Sequence, residues 1–135
     1  MYLALLPDAE SLAALKRFAP SVSDVAHLTI IHSKANPEAW AYGIYPMPLP
    51  TWAGSLTLCT KSVARFGGRN KIPVLTLDLT PELRAMREQA EGILREAGLP
   101  WSTSWGFVPH VALGLGLMKL TGCPATLRFD RMEWR

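Results

Sequence analysis

The most constraining feature of the sequence is an order of predicted elements that occurs twice. In the first half, YLALL predicts a strand, and AESLAALKRFA carries Leu12, Leu15 and Phe18 at the spacing of one helical face. VAHLTIIH then predicts a second strand. The second half repeats the order with VLTLDL, a helix that begins at Thr80 and Pro81, and HVALGLGL. The sequence therefore predicts an α+β protein with two similar halves.

Length and composition favour one globular domain. A chain of 135 residues, 49% of them hydrophobic, can bury a core of its own. We therefore predict a single domain over residues 1–135 with two pseudo-symmetric lobes. Each lobe is expected to have an antiparallel sheet with a helix on its outer face, and the lobes are expected to form a central groove. The last segment, ATLRFDRMEWR, alternates apolar and charged residues as an edge strand does.

Charge and segment composition exclude several classes of protein. A net charge of +3 is compatible with an anionic ligand but is low for a dedicated nucleic-acid binder. No segment reaches about 20 uninterrupted apolar residues, so no membrane span is predicted. The first residues lack a basic leader, and Asp8 comes too early for a signal peptide. Cys59 and Cys123 have no metal-ligand spacing and are interpreted as buried thiols in a reducing compartment, so we expect a cytoplasmic protein. No obligate protein partner is evident from the sequence.

The first half ends in HLTI, which contains one of only three histidines in the chain. Because side chains alternate between the two faces of a strand, His27 and Thr29 are predicted to share one face. Leu28 and Ile30 then point to the core. His32, five residues after His27, is predicted to point the other way.

The second half contains HVAL, with the same arrangement. His110 and Ala112 are predicted to share the polar face, while Val111, Leu113 and Leu115 form the apolar face. If the two halves pack as mirrored lobes, their polar faces meet and bring the two imidazoles into apposition.

Two opposed imidazoles suit the cleavage of a phosphodiester. Imidazole changes its protonation state near neutral pH, so one ring can take a proton from an attacking hydroxyl while the other gives a proton to the leaving oxygen. Positioned proton transfer of this kind contributes about 10²–10⁴-fold to a rate. The hydroxyl of Thr29 can donate to a phosphoryl oxygen, where negative charge develops. The pattern needs no metal ion and no cofactor.

These motifs resemble those of the two-histidine (2H) phosphoesterase superfamily, which has the LigT-like or RNA 2′,5′-ligase-like fold. The resemblance rests on H-x-T-x, on proline followed by H-x-x-L, and on VARFGG before a strand and a helix that ends in EAGL, and it covers most of the chain. It implies a metal-independent enzyme acting on 2′,3′-cyclic phosphates, 2′,5′-linked oligonucleotides, cyclic nucleotides or RNA ends. His27 and His110 would then be catalytic, and Thr29 would bind phosphate.

The sequence departs from this family at Ala112, where the family usually has Thr or Ser. Only the backbone of Ala112 could then contact the phosphate, and the loss of one donor costs about 2.7–4 kcal/mol of transition-state stabilisation if nothing replaces it. Two hypotheses follow: an active enzyme that holds its phosphate asymmetrically, or an impaired protein that binds or sequesters a nucleotide. A structural protein with coincidental motifs is the third alternative.

The resemblance also bears on the substrate and the place of action. A chain of this length favours a small nucleotide or an RNA terminus over long RNA. Some viral members of the family destroy immune messengers, so immune signalling nucleotides are one implied substrate class, with action in the host cytoplasm if the protein is viral.

Three further residues are candidates for substrate binding. Tyr42 and Trp101 lie in loops next to the histidine strands, where an aromatic ring that stacks on a base contributes about 1–3 kcal/mol. Packing in the core is the alternative role for such rings. Arg65 belongs to a basic segment that could contact a nucleotide phosphate, although a solvated turn explains it equally well.

Overall fold

The computed structural model describes residues 1–34, 47–67, 71–102, 106–119 and 121–135. The described residues form six strands and two helices. In chain order these are β1 (Tyr2–Pro7), α1 (Ala9–Phe18), β2 (Leu28–His32), β3 (Leu56–Phe66), β4 (Ile72–Leu77), α2 (Pro81–Glu96), β5 (His110–Ala112) and β6 (Thr126–Trp134). The predicted α+β class and the antiparallel pairing are confirmed.

The strands form one closed antiparallel sheet in the order β1-β2-β5-β4-β3-β6, with β6 pairing back to β1. Because strands of both halves share this sheet, the predicted pair of pseudo-symmetric lobes, each with a sheet of its own, is not confirmed. The prediction that the last segment is an edge strand is wrong. β6 pairs with β1 through Leu5 and Met132, and with β3 through Leu56 and Phe129. Its alternating apolar residues Leu127, Phe129 and Met132 are buried because they face the core, while β1 and β3 pair with its two edges.

Helix α1 begins where the sequence predicts it. The carboxylate of Asp8 accepts a hydrogen bond from the backbone N–H of Ser11 at 2.8 Å and caps the first turn. Leu15 and Phe18 on the predicted face are buried, and Leu12 is partly buried against the same core. The helix packs against β1 and β6.

Helix α2 is capped by the hydroxyl of Thr80, which accepts from the backbone N–H of Leu83 at 3.2 Å, with Pro81 at the first helical position. It packs against β2, so it supports the first histidine strand from the buried side. Its buried face consists of Leu83, Met86, Ala90 and Leu94. Neither described helix combines the length and the hydrophobicity needed to cross a membrane.

We expect Asp8→Ala to lower the free energy of unfolding by about 1 kcal/mol at pH 7, the usual contribution of a helix cap. The hydrogen bond from the Ser11 backbone holds the pKa of Asp8 below its ordinary value. A carboxyl with a lowered pKa in the folded state stabilises above its unfolded pKa and loses this contribution as the pH falls through the folded pKa. Urea unfolding at pH 7 and near pH 2.5 measures this: the difference between wild type and variant should shrink at the lower pH, and a difference that does not change contradicts the assignment.

Strand β5 is shorter than the predicted HVALGLGL strand and ends at Ala112. Gly114 follows with φ +77°, a conformation that favours glycine, and the chain leaves the sheet there. Leu113 is fully buried, but Leu115 is 78% exposed. The prediction that Leu115 belongs to the apolar face of the strand is therefore wrong.

The two cysteines are free, as their spacing indicates, but both Cys59 and Cys123 are exposed. The prediction of buried thiols is wrong. Cys59 lies on β3, where the neighbouring Leu58 is the residue that faces the core. The alternation of the strand thus turns the thiol outward.

Candidate active site

The register between β2 and β5 brings the two histidine motifs together. Leu28 pairs with Val111, and both side chains are fully buried. In an antiparallel pair, the residue before one partner lies opposite the residue after the other. His27 therefore lies opposite Ala112, on the face that points away from the core.

By the same register, Thr29 lies opposite His110. The two histidines thus occupy one diagonal of a four-residue rectangle, and Thr29 and Ala112 occupy the other. Diagonal neighbours of this kind are about 7–8 Å apart, with their Cβ atoms somewhat closer, a span that one phosphate group can fill between the rings. A local two-fold axis through the Leu28–Val111 pair exchanges β2 with β5, and with them His27 with His110. Each motif therefore has its histidine directly before the paired residue.

All four residues line one cavity of about 270 Å³. The rest of its wall comes from the segment before β2 and from the turn after β5: Ser21, Ser23, Val25, Ala26 and Gly114. A larger cavity of about 470 Å³ lies against the end of α1 and β3, and no histidine lines it. The predicted residues therefore meet at a cavity that is smaller than this one.

Both imidazoles are oriented by the same kind of hydrogen bond. The Nδ1 atom of His27 lies 3.1 Å from the carbonyl oxygen of Val25, and the Nδ1 atom of His110 lies 2.8 Å from that of Val108. A carbonyl oxygen only accepts, so Nδ1 carries the hydrogen in both rings. Each Nε2 is then left to accept a proton in the neutral ring or to donate one in the charged ring.

An aromatic ring contacts each histidine. Tyr2 on β1 stacks on His27, with ring centroids 4.9 Å apart and planes inclined by 20°. Phe66 on β3 meets His110 edge to face, also at 4.9 Å. These contacts restrict ring rotation. Sequence reasoning missed both residues, although Phe66 directly follows the predicted Arg65.

The carbonyl that orients His27 has a second partner. The Nη1 atom of Arg135 donates to the oxygen of Val25 at 3.3 Å, and Nε of the same guanidinium lies 2.6 Å from Oε1 of Glu133. The bond to Glu133 raises the pKa of Arg135. The backbone of Arg135 also pairs with Tyr2 through two 2.8 Å hydrogen bonds. Arg135 thus bonds both to the Val25 carbonyl that orients His27 and to Tyr2, whose ring stacks on His27. No signal in the sequence indicated this role.

The backbone of Ala112 does not suit the predicted contact with phosphate. The N–H of the next residue, Leu113, donates to Pro73 on the β4 side at 2.9 Å. Successive N–H groups of a strand point to opposite neighbouring strands. The N–H of Ala112 therefore points along the sheet toward β2 and away from the cavity. The exposed methyl group of Ala112 leaves space beside His27.

Serine hydroxyls border that space. Ser21 and Ser23 both line the cavity, and Ser21 lies against Gly114, two residues after Ala112. The Oγ atom of Ser23 accepts from the backbone N–H of Val25 at 3.1 Å, which leaves its hydroxyl hydrogen available for donation. A hydroxyl donor is therefore present in the cavity wall without a hydroxyl at position 112.

The structure places His32 on the same side as Thr29, and the prediction that it points the other way is wrong. The pairing of β1 with β2 shifts between Leu3 and Ala4, so β2 contains one extra residue, a β-bulge. Ile30 and Ile31 are consequently both buried, and the alternation is reversed from there on. Tyr2, which stacks on His27, also stacks on His32 at 6.5 Å.

A second cavity of about 360 Å³ adjoins the first and shares Thr29 and His110 with it. His32, Lys34, Arg87 and Phe107 are among its other lining residues. The guanidinium of Arg87 already has protein partners: Nη1 donates to the Ile30 carbonyl at 2.8 Å, Nε pairs with Glu91 at 3.3 Å, and the group lies over the Phe107 ring. Arg87 thus fastens α2 to β2.

Two of the three predicted substrate-binding residues, Trp101 and Arg65, line neither cavity. Trp101 packs against the core under the guanidinium of Arg95, 5.3 Å from its ring centroid, and lines neither cavity. Arg65 is exposed on β3, paired with Pro73, and also lines neither cavity. Tyr42 lies outside the described residues. In the described part of the chain, no three His, Cys, Asp or Glu side chains cluster as metal ligands.

The chain has the fold of a PDE domain of known structure. That structure is the crystal structure of the MHV ns2 PDE domain, which matches with a TM-score of 0.53 over 94% of this chain and 85% of that domain, at 15% sequence identity. No family model matches the sequence, and no curated protein sequence matches it. At this identity the comparison shows the shared fold, and the residues of the cavity carry the functional argument.

Proposed function

We propose that the chain is a phosphodiesterase of the 2H phosphoesterase superfamily that cleaves a nucleotide phosphodiester without a metal ion. One observation supports this most: His27, Thr29 and His110 line one cavity, and each imidazole has Nδ1 bound to a carbonyl. This arrangement leaves two Nε2 atoms for proton transfer. The shared fold with the MHV ns2 PDE domain is consistent with the proposal.

In the proposed mechanism, the Nε2 atom of one neutral histidine takes the proton of the attacking hydroxyl or water. The oxygen then bonds to phosphorus, and the bond from phosphorus to the leaving oxygen breaks. The protonated Nε2 of the other histidine gives its proton to that leaving oxygen. The hydroxyl of Thr29 donates to a non-bridging oxygen, where charge builds up. The local two-fold relation suits each histidine for either role, so the roles can swap when the reaction runs in the opposite direction.

The proposed substrates are 2′,5′-linked or cyclic oligonucleotides and 2′,3′-cyclic phosphates, with immune signalling nucleotides as one class among them. Incubation of the purified protein with a panel of these compounds, followed by chromatography, tests the activity. We expect at least one compound to be converted with formation of a phosphomonoester or cyclic phosphate product. A panel recovered intact at high enzyme concentration contradicts the proposal.

Ala112 favours a second candidate, a protein that binds a nucleotide without cleaving it. This candidate predicts binding that calorimetry detects together with recovery of the intact ligand after long incubation. Two serine hydroxyls weigh against it, because Ser21 and Ser23 line the same cavity as Ala112 and offer other donors.

We expect Ala112→Thr to raise kcat by about tenfold, because it places a hydroxyl beside His27 in mirror relation to Thr29. This gain is smaller than the 10²–10³-fold loss that follows removal of an optimised donor. Ala112→Val has the same shape without the hydroxyl and is the matched control. Steady-state kinetics of the two variants on the same substrate decide the point: equal kcat values show that position 112 does not reach the phosphate.

A further inference from the structure

We propose that the 360 Å³ cavity beside the histidine pair binds the part of the substrate that carries a second phosphate. The inference rests on the proposed function and extends it to substrate choice. It predicts a preference for dinucleotides with an additional phosphate over 2′,3′-cyclic mononucleotides. Lys34 is the side chain that we assign to this second phosphate.

The first argument is the position of the two cavities relative to the histidines. The 270 Å³ cavity extends from the His27–Ala112 pair toward Ser21 and Ser23. The 360 Å³ cavity extends from Thr29 and His110 in the opposite direction along the strands. A phosphorus atom between the two imidazoles therefore lies where the two cavities adjoin, with the remainder of each cavity on either side. A phosphodiester that joins two nucleosides places one in each cavity, whereas a 2′,3′-cyclic mononucleotide has only one nucleoside to place.

The second argument is the difference in charge between the two cavities. The 270 Å³ cavity has hydroxyl groups and small apolar groups beyond its histidines. The 360 Å³ cavity has the cationic side chains of Lys34 and Arg87 together with His32, and its described lining includes neither Asp nor Glu. A cavity wall with cationic side chains and no carboxylate favours an anionic ligand, although the charge of Arg87 is already paired with Glu91 outside this lining.

The third argument identifies Lys34 as the available cation. The charge of Arg87 is paired with Glu91. Lys34 is exposed, and the ion pairs formed among the described residues do not include it. The β-bulge in β2 contributes to this arrangement, because it turns His32 to the site side two residues before Lys34. An ammonium group at this rim can meet a phosphate that extends from a nucleoside placed in the 360 Å³ cavity.

The test compares three substrates and two variants. The substrates are a 2′,5′-linked diadenosine monophosphate and the same compound with an additional phosphate on its 5′ or its 2′ end. We expect Lys34→Ala to lower kcat/KM about fivefold for one phosphorylated form and less than about twofold for the unphosphorylated form, as for one partly exposed charge contact. Lys61→Ala on β3, outside both cavities, removes the same charge and is the matched control. The effect of Lys34→Ala should shrink in high salt, because salt screens exposed charges.

Equal losses for all three substrates, or no loss for either phosphorylated form, overturn the assignment of Lys34. Calorimetry with the same compounds separates this outcome from failure of the proposed function. If the wild type cleaves none of them but binds a phosphorylated form in a manner that depends on Lys34, the cavity assignment stands, and the phosphodiesterase proposal fails if the rest of the substrate panel is also recovered intact. If no phosphorylated form binds more tightly than the unphosphorylated one, the cavity assignment fails.

Discussion

His27→Ala and His110→Ala should each lower kcat for the cleaved phosphodiester by about 10²–10⁴-fold, the contribution expected of one positioned acid or base. Each substitution removes an Nε2 atom from the wall of the 270 Å³ cavity. KM should change much less, because the proton is transferred mainly in the transition state. Single-turnover kinetics at saturating substrate measures the loss directly.

The double variant sharpens this prediction. Residues that act as one catalytic unit have strongly non-additive effects, so His27→Ala combined with His110→Ala should lose little more than the worse single variant. Thermal unfolding of all three variants is the control, because both rings are only partly buried and their removal should leave the core intact. Turnover within about threefold of wild type in either single variant would remove that histidine from the mechanism.

Thr29→Val should lower kcat by about 10²–10³-fold, as expected for removal of a donor at the oxygen where charge develops. Valine keeps the branched shape of threonine and favours a strand, so the change removes the hydroxyl and little else. Thr57→Val on an exposed position of β3 is the matched control and should leave kcat unchanged. Kinetics on one substrate compare the two variants.

Combining Thr29→Val with Ala112→Thr tests whether a hydroxyl at position 112 can replace that of Thr29. If Thr29→Val is inactive and Ala112→Thr restores part of its activity in the double variant, either side of the rectangle can supply the donor. If Thr29→Val keeps kcat within about threefold of wild type, the phosphate does not contact Thr29, and the donors lie elsewhere in the cavity.

Local patterns predicted the elements well. The start of α2 was visible because Thr80 is a capping residue followed by proline, and its hydroxyl bonds within three residues along the chain. Helix α1 was visible from the spacing of its apolar residues, and the cap at Asp8 was found only in the structure. Strand ends and neighbours were less predictable, because they depend on contacts between distant segments. The last segment was predicted to be an edge strand because its alternating pattern does not show that β1 and β3 pair with its two edges.

The core of the candidate site followed from the alternation of two strands. His27 and Thr29 lie on one face because Leu28 between them is buried, and the same rule places His110. The rule failed at His32, since a bulge arises from pairing with β1 and leaves no mark in the sequence of β2 itself.

The surroundings of the histidines could not be predicted for the same reason. The closed sheet brings three residues from distant segments to the histidines. These are Tyr2 on β1, Phe66 on β3 and Arg135 directly after β6. Trp101 was predicted to bind substrate from its position in the sequence. Its loop lies near the second histidine strand in sequence, but its ring packs against the core under Arg95.

The most direct measurement is a crystal structure of the protein with adenosine 2′-monophosphate bound. We predict one phosphorus atom between the two rings, with Nε2 of His27, Nε2 of His110 and the hydroxyl of Thr29 each about 3 Å from a phosphate oxygen. A phosphate bound in another cavity, or one that contacts a single histidine while the other ring lies beyond hydrogen-bonding distance, contradicts the two-histidine mechanism.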